Sequence, residues 1–314
     1  MRPDNETMEK IITITLNPAI DKSTNIFALV PEKKLRCSQP TFEPGGGGIN
    51  VSRAIKKLGG SSTALFLSGG YSGKFFETLI QQEAIDAIVI PTQSHTRENL
   101  IIFDESANLQ YRFGMPGSMV HENEWRACLN ILQQNNGYEY VVISGSNAPG
   151  IPVDFYSLAA LIVKQKNAKL VVDTSGDALR HALDCGVFLA KPNLGELSNL
   201  CGVAELDAGS VVEAARSIIN KGSCSVMVVS MGAAGAMLIT ATEHYHVAAP
   251  PVKRKSTVGA GDSMVAGIMV ALQAGLPWKN VLQYGVASGT AATINAGTAL
   301  CSKEDVERIY ASMQ

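Results

Sequence analysis

Ser256-Thr-Val-Gly-Ala-Gly-Asp262, followed by an apolar run over 263–272 (SMVAGIMVAL), is the stretch that decides how this chain is organised. The run is apolar on nearly every side and ends before Gly275, which predicts a glycine-rich turn leading into a buried helix. Such a turn directs unpaired backbone N–H groups and the positive end of the helix dipole at whatever lies above it. Phosphate is the natural ligand of that arrangement.

Asp262, in the first turn of this helix, has two interpretations. Asp is a favoured N-cap, which would make it structural. It could instead act as a general base beside a transferred phosphoryl group. The local pattern favours neither interpretation, because short motifs match by chance often enough to matter.

A second glycine stretch, Pro44-Gly-Gly-Gly-Gly-Ile-Asn50, leads directly into an amphipathic helix pattern that begins at Val51. Four glycines in a row are entropically costly in a folded chain, a cost that is easier to understand where a ligand touches the backbone. The stretch is not a P-loop, because it lacks the Lys-Ser/Thr pair. It is not a dinucleotide fingerprint either, because the expected acidic residue is absent from 65–70 (LFLSGG).

Outward from these two stretches, short aliphatic runs alternate with helical patterns along the chain. The runs lack clean alternation of apolar and polar residues, as expected of parallel strands covered on both faces. We therefore predict an α/β fold with a mostly parallel central sheet flanked by helices on both faces. The aliphatic runs are 11–16, 63–67, 87–90, 140–143, 170–172, 187–189 and 226–229.

Two regions, at about 22–43 and 96–114, break this alternation with alternating polar and apolar residues. We interpret them as antiparallel strands that form a small lid. Since no linker or repeat separates them, residues 1–314 are predicted to form a single domain with the lid inserted. Open lid edges and an exposed apolar face would also favour pairing of two lids in a homodimer, although the lid could instead fold onto its own sheet.

Polar side chains follow several of the predicted strands, where α/β proteins place their sites. One such residue would mean little, but a series of them is hard to explain as solvent-facing loops. The series consists of Asp21, Ser146, Asp173, the group Lys191, Asn193 and Glu196, and the pair Ser230 and Gly232.

Composition excludes several classes of protein. Hydrophobic residues make up 46% of the 314 residues and the formal net charge is −2, which argues against a nucleic-acid partner. The polar N-terminus shows no secretory signal, and the apolar runs are shorter than the ~18 residues of a membrane span. We expect a cytoplasmic protein without membrane contact. The six cysteines and five histidines form no zinc pattern.

Taken together, these features resemble the ribokinase-like family of sugar kinases, also called the phosphofructokinase B family. The segment 45–50 resembles the first family motif, Thr257 to Asp262 resembles the second, and the similarity spans about 11–310. The stretches 34–37, 42–50, 96–97, 111–117 and 300–302 are most similar to members that phosphorylate fructose 6-phosphate. They are less similar to fructose-1-phosphate and tagatose-6-phosphate kinases, which usually carry Lys where Gly47 stands.

The resemblance implies a role for each site residue. Asp262 is the implied base, and the amides of Gly259, Ala260 and Gly261 form the anion hole for the γ-phosphate. Mg²⁺, entering as MgATP, would lie near Asn193 and Glu196, largely through water. The implied ATP-binding residues are Lys191, Asn193, Ser230, Gly232, Asp173 and Asn295, and the implied sugar-binding residues are Asp21, Gly46, Gly47, Asn50 and Ser146.

Four cations in or next to the lid strands add a physical argument for a phosphorylated sugar. Lys34, Arg36, Arg97 and Arg112 could hold a dianionic 6-phosphate, and Arg binds phosphate by bidentate hydrogen bonds. The alternative is a set of solvated charges on lid strands. Since family members that use unphosphorylated sugars need no such cluster, the resemblance favours a sugar phosphate.

The expected activity is therefore ATP-dependent phosphorylation of fructose 6-phosphate at O1. Two departures from the family pattern, Ser256 and Asn147-Ala-Pro-Gly150, leave the base untouched, but the second could reshape the sugar end of the pocket. Tagatose-6-phosphate or 1-phosphofructokinase activity stays open as an alternative, as does a non-catalytic sugar-phosphate or nucleotide sensor on the same fold. A nicotinamide dehydrogenase is disfavoured by the missing fingerprint.

Overall fold

The computed structural model describes residues 10–207, 209–295 and 299–314. The strands are β1 (Ile11–Thr15), β2 (Ala19–Ile26), β3 (Thr41–Gly45), β4 (Thr63–Gly69), β5 (Asp86–Thr92), β6 (Arg97–Asp104), β7 (Leu109–Phe113), β8 (Tyr140–Ser144), β9 (Lys169–Asp173), β10 (Val187–Ala190), β11 (Cys224–Ser230), β12 (Ala236–Ile239) and β13 (His244–Val247). The helices are α1 (Gly47–Lys57), α2 (Gly70–Gln82), α3 (Glu122–Gln134), α4 (Phe155–Gln165), α5 (Gly176–Asp184), α6 (Leu194–Cys201), α7 (Val211–Asn220), α8 (Ala260–Gln273), α9 (Trp278–Ile294) and α10 (Lys303–Ala311).

The larger sheet has the strand order β13-β12-β11-β10-β9-β8-β1-β4-β5. The strands from β5 across to β11 are parallel, and β12 and β13 add an antiparallel hairpin at one edge. The prediction of a mostly parallel sheet is confirmed. Its aliphatic runs lack alternation because both faces are covered, as Ile11, Ile12 and Ile14 of the central strand β1 show by being wholly buried.

Helices cover both faces of this sheet, as predicted. One apolar cluster joins α3 to α7 with one face, through residues such as Trp125 and Phe155. The other joins α1, α8, α9 and α10 with the opposite face, through residues such as Ile55 and Met264. Among the described residues, no helix is both long and apolar enough to cross a bilayer.

The smaller sheet has the order β3-β2-β6-β7 and confirms the predicted second sheet. Its outer pairs, β2 with β3 and β6 with β7, are antiparallel as predicted. The central pair differs, because β2 and β6 run parallel from Ala19 beside Arg97 to Ile26 beside Asp104. The reason is connectivity: β2 and β6 follow β1 and β5, which point the same way in the main sheet, so both leave it in the same direction.

Helix α8 is held close to its neighbour α9, and this fixes the glycine turn at its start. A Cβ on Gly267 would lie 2.3 Å from Ser288 Oγ and 2.9 Å from the Tyr284 carbonyl oxygen, so only glycine allows this approach. From Ser263 to Met269 the helix is buried. The end of α8 that carries the glycine turn is therefore placed by the core rather than by solvent-exposed loops.

Candidate active site

The turn before α8 has the geometry that the sequence predicts. Gly259 is the N-cap in the left-handed conformation (φ 70°), and a Cβ there would lie 2.5 Å from Leu300 Cδ2. No side chain caps the helix, and Asp262 lies inside its first turn. The N-cap interpretation of Asp262 is therefore wrong. Backbone N–H groups at the start of a helix have no intrahelical partners, so this turn is suited to an anion.

Asp262 faces the second glycine stretch across the site. The side-chain amide of Asn50 donates to Asp262 Oδ2 at 2.9 Å, which joins the first turn of α1 to the first turn of α8. The chain enters α1 through Gly46, whose φ is 111°. A Cβ on Gly47 would lie 2.4 Å from Ser144 Oγ, so this turn packs directly on the end of β8. Two helix N-termini thus converge on one carboxylate.

Burial raises the pKa of Asp262 to about 6, and the charge of Asp173 adds to this effect. The Asn50 hydrogen bond and the Lys191 ammonium act in the opposite direction. Asp262 as a whole residue is nonetheless only partly buried. A carboxyl group with a raised pKa, on a residue that solvent still reaches, has the properties of a general base that works near neutral pH.

Asp173 and Lys191 form an ion pair beside this carboxylate, with 2.9 Å between Asp173 Oδ1 and Lys191 Nζ. Burial opposes the charged form of Lys191, but Asp173, Asp262 and Glu196 together outweigh burial and raise the pKa of the lysine. A Cβ on Gly261 would lie 3.7 Å from Lys191 Nζ. A permanent positive charge therefore lies against the glycine turn, where it would add to the attraction of phosphate.

Asn193 and Glu196 are held by a reciprocal capping box at the start of α6. Asn193 Oδ1 accepts from the Glu196 amide, and Glu196 Oε2 accepts from the Asn193 amide, both at 2.8 Å. Asn193 is exposed and also bridges to Ser230 of the neighbouring strand. Amide and carboxylate oxygens suit hydrated Mg²⁺. Within the described part of the chain, no cluster of three or more His, Cys, Asp or Glu side chains could hold a metal by itself.

A cavity of about 480 Å³ opens from the glycine turn between α8, α9 and the segment after β13. Ala260, Gly261, Ser230 and Gly232 are among the residues that line it, and ATP binding by Ser230 and Gly232 stays a prediction. Sequence reasoning missed most of its apolar wall, since Pro and Ala in a loop carry no distinctive signal. The missed residues include Ala249, Pro250, Pro251 and Val252 in the loop, and Val286 in α9.

Asn295, predicted to close the adenine pocket, does not line this cavity. It is the C-cap of α9, and its side-chain amide donates to the Leu300 carbonyl oxygen at 3.0 Å. The following residues 296–298 of the predicted motif lie outside the described residues. An adenine contact of Asn295 stays a prediction.

On the sugar side, Asp21 is buried and accepts from the Asn99 amide at 2.8 Å. Burial raises the pKa of Asp21, while Asn99 and Arg97 oppose that rise. Ser146 accepts from the Asn17 amide at 3.2 Å. Asn17 and Asn99 were missed because isolated asparagines in turns and strands have no recognisable pattern.

The four predicted phosphate-binding cations stand on different segments of the small sheet and its loops. Arg97 lies at the site, where its guanidinium donates to the carbonyl oxygens of Asn17 and Met115, both at 3.0 Å. Arg112 is exposed and donates to Gln110 Oε1. Lys34 and Arg36 are exposed in the long loop between β2 and β3. Phosphate binding by the last three stays a prediction.

We predict that Asp262→Asn stabilises the ligand-free protein at pH 8. A folded pKa of about 6 against the ordinary 3.8 means that the ionised form costs stability above pH 6 and costs nothing below pH 4. The expected gain in the free energy of unfolding is about 1–3 kcal/mol at pH 8 and should vanish toward pH 4. Denaturant unfolding at several pH values measures it.

The matched control is Asp154→Asn, at an exposed carboxylate before α4. It should change stability by less than about 0.5 kcal/mol at either pH. A loss of stability in Asp262→Asn at pH 8, or a gain independent of pH, would contradict the assigned environment of the carboxylate.

The sequence is similar over most of its length to known phosphofructokinases. The chain is 41% identical over 305 residues to the ATP-dependent 6-phosphofructokinase isozyme 2 of Escherichia coli (strain K12), covering 97% of this chain and 99% of that protein. It is 33% identical to the 1-phosphofructokinase of Bacillus subtilis (strain 168), covering 90% of this chain and 91% of that one.

Among solved structures, phosphofructokinase-2 from Escherichia coli in complex with fructose-6-phosphate superposes with a TM-score of 0.92. The two chains are 39% identical, and the match covers 98% of this chain and 99% of the other. The model of the pfkB family of carbohydrate kinases matches residues 10–305. The expected ribokinase-like fold is confirmed, and the chain belongs to the pfkB family of carbohydrate kinases.

Proposed function

We propose that this kinase transfers the γ-phosphoryl group of ATP to O1 of fructose 6-phosphate, giving fructose 1,6-bisphosphate and ADP. The observation that carries the proposal is the position of the Asp262 carboxylate, which Asn50 holds at the glycine turn between a nucleotide-sized cavity and the Asp21 side of the site. The similarity to a 6-phosphofructokinase over nearly the whole chain supports the choice of sugar phosphate.

In this mechanism, Asp262 accepts the O1 proton as the hydroxyl attacks the γ-phosphorus in line with the departing ADP. Phosphoryl transfer depends on positioning and charge neutralisation more than on covalent help. The amides at Gly259, Ala260 and Gly261, with the Lys191 ammonium nearby, would neutralise the charge on the moving phosphoryl group. Asn193 and Glu196 would hold the water shell of a Mg²⁺ ion bound to ATP, and that ion would supply further positive charge.

The two substrates would occupy opposite sides of the Asp262 carboxylate. The adenosine would occupy the apolar part of the cavity along Pro250 and Val286, with the triphosphate running past Ser230 and Gly232 toward Gly261. The sugar would lie between Asp21 and Asp262, with its hydroxyls on polar side chains and its phosphate near Arg97. Its remaining proposed contacts are Gly46, Gly47, Asn50, Ser146, Lys34, Arg36 and Arg112.

We further propose that residues 1–314 work as one domain whose small sheet covers the sugar, and that two copies pair through these sheets. The small sheet and its loops leave large apolar side chains in water. Phe27 is 79% exposed, and Leu109, Phe113 and Met115 are each more than 40% exposed. Such a patch is typical of a protein interface.

The cytoplasmic location of the protein also stays a prediction.

The first test of the function compares substrates and removes the base. With ATP, fructose 6-phosphate should give a higher kcat/KM than fructose 1-phosphate or tagatose 6-phosphate in a coupled assay of ADP release. Asp262→Asn should lower kcat by about 10²–10⁴-fold, as expected when a general base is lost. Binding of fructose 6-phosphate, followed by calorimetry, should be largely retained.

Near-normal kcat in purified Asp262→Asn would contradict the role of the carboxylate. A higher kcat/KM with fructose 1-phosphate would instead favour the activity of the Bacillus subtilis relative. Tight binding of sugar phosphate or nucleotide without turnover would favour a sensor.

A second prediction concerns Arg97→Ala, which should raise KM for fructose 6-phosphate by about 10–100-fold and leave KM for ATP nearly unchanged. The reason is the loss of charge-assisted hydrogen bonds, each worth about 1.5–3 kcal/mol. Arg126→Ala, at an exposed arginine paired with Glu122, is the matched control and should change neither constant. Equal increases in both KM values would remove Arg97 from the sugar site.

The third prediction tests the paired lids. Sedimentation at micromolar concentration should show two copies per particle, and Phe27→Glu combined with Leu109→Glu should give monomers by placing charge in the apolar patch. Leu161→Glu, at a leucine of α4 that is 55% exposed, is the control and should leave assembly intact. A monomeric unsubstituted protein would contradict the proposal.

A further inference from the structure

Arg53 is a buried cation that the proposed mechanism does not use. It lies in α1 and is only 4% exposed. Its Nε lies 2.9 and 2.8 Å from the two carboxylate oxygens of Glu83, and its Nη2 lies 3.2 Å from Glu43 Oε1. A charge this well buried needs such partners, and these two carboxylates satisfy one side of the guanidinium.

The other side of the guanidinium faces the active site. Its Nη1 donates to the Pro44 carbonyl oxygen at 3.0 Å and to Asn50 Oδ1 at 3.4 Å. Arg53 and Asn50 are three residues apart in α1, so their side chains share one face of the helix. Asn50 in turn donates to Asp262. The chain of contacts runs from Arg53 through Asn50 to the proposed base.

The chemistry of the three groups fixes the orientation of the Asn50 amide. A guanidinium has only donors, so the amide oxygen of Asn50 must face Arg53. An ionised carboxylate only accepts, so the amide nitrogen must face Asp262. Without Arg53, the amide oxygen would lose its donor, and the carboxylate alone would hold the amide nitrogen toward Asp262.

The same guanidinium also holds β3 of the small sheet, through Glu43 and Pro44. The next residue, Gly45, packs on Asp21: a Cβ there would lie 2.3 Å from Asp21 Oδ2. Arg53 thus joins the strand beside the sugar carboxylate to the side chain that holds the base. A residue that merely braced α1 against Glu83 would need neither of these contacts.

We propose that Arg53 is a positioning residue for phosphoryl transfer, which orients the Asn50 amide toward Asp262 and keeps β3 in register with it. This inference rests on the proposed function, since it takes Asp262 as the base. Arg53 touches neither substrate in this arrangement and acts only through Asn50 and the strand.

The expected effect on pH dependence follows from the charges around each group. Asp262 is faced by Asp173, which raises its pKa, by Asn50 and Lys191, which lower it, and by Asp21, which raises it. Arg53 is faced by Glu83 and Glu43, and its charge also acts on Asp21, whose pKa it lowers. Because the Asn50 bond favours the ionised base, losing it should raise the pKa of Asp262 and move the loss of kcat at acid pH to a higher pH.

Arg53→Lys keeps the buried positive charge, but its donors sit on a single nitrogen, which cannot occupy the three positions from which Nε, Nη1 and Nη2 reach Glu83, Asn50 and Glu43. We expect kcat at pH 7 to fall about tenfold. The acid limb of the kcat profile should also move to a pH about one unit higher, because the loss of one charge-assisted hydrogen bond changes a pKa by about that much. KM for ATP should be unchanged. Arg53→Gln, whose uncharged amide keeps two N–H donors for Asn50 and Pro44, should give a smaller displacement.

Two further variants separate positioning from bracing. Glu83→Gln removes an ionic partner of Arg53 but leaves the Asn50 bond, so it should lower the melting temperature without moving the acid limb. Asn50→Ala should move the limb as Arg53→Lys does. In the double variant Arg53→Lys/Asn50→Ala, the acid limb of the kcat profile should lie at the same pH as in Asn50→Ala alone. The reason is that Arg53 acts on the base only through Asn50.

An unmoved acid limb in Arg53→Lys or in Asn50→Ala would overturn the proposal. So would an equal displacement in Glu83→Gln, additive displacements in the double variant, or failure of both Arg53 variants to fold, which would make the residue structural. Asp262→Asn distinguishes this failure from that of the proposed function, because it stays inactive if Asp262 is the base, whatever Arg53 does.

Discussion

The hydrogen bond between Asn50 and Asp262 is the contact on which the organisation of the site depends. It joins the first turns of two helices that lie 212 positions apart in the chain, and both turns are glycine-rich. The central sheet carries these helices on one face, and the close packing of α8 on α9 leaves the turn little freedom. The rigid core therefore holds the carboxylate where phosphate and sugar would meet.

Opposing effects set the pKa of Asp262. Burial and Asp173 make ionisation of Asp262 harder, while Asn50 and Lys191 make it easier. The result is a carboxyl group that costs the folded protein stability at neutral pH but is well matched to accepting a proton there. Such a cost is common at sites where function and stability compete.

Much of this could be predicted from the sequence, for physical reasons that differ between elements. The uniform aliphatic runs, such as that at β1, indicate strands that are buried on both faces. The glycines before α8 indicate a backbone that leaves no room for a Cβ atom. The parallel pairing of β2 with β6 could not be predicted, because it depends on where β1 and β5 end in space. The site contacts of Asn17 and Asn99 and the cavity wall around Pro250 could not be predicted either, since they arise from contacts between distant segments of the chain.

The central claim is that Asp262 meets the acceptor hydroxyl beside the glycine turn. A crystal structure with fructose 6-phosphate, Mg²⁺ and a non-hydrolysable ATP analogue tests it most directly. The account predicts the sugar O1 within about 2.6–3.2 Å of an Asp262 carboxylate oxygen, with the γ-phosphate over the amides at 259–261. A sugar bound with O1 away from this carboxylate, or a triphosphate that does not reach the turn, would contradict it.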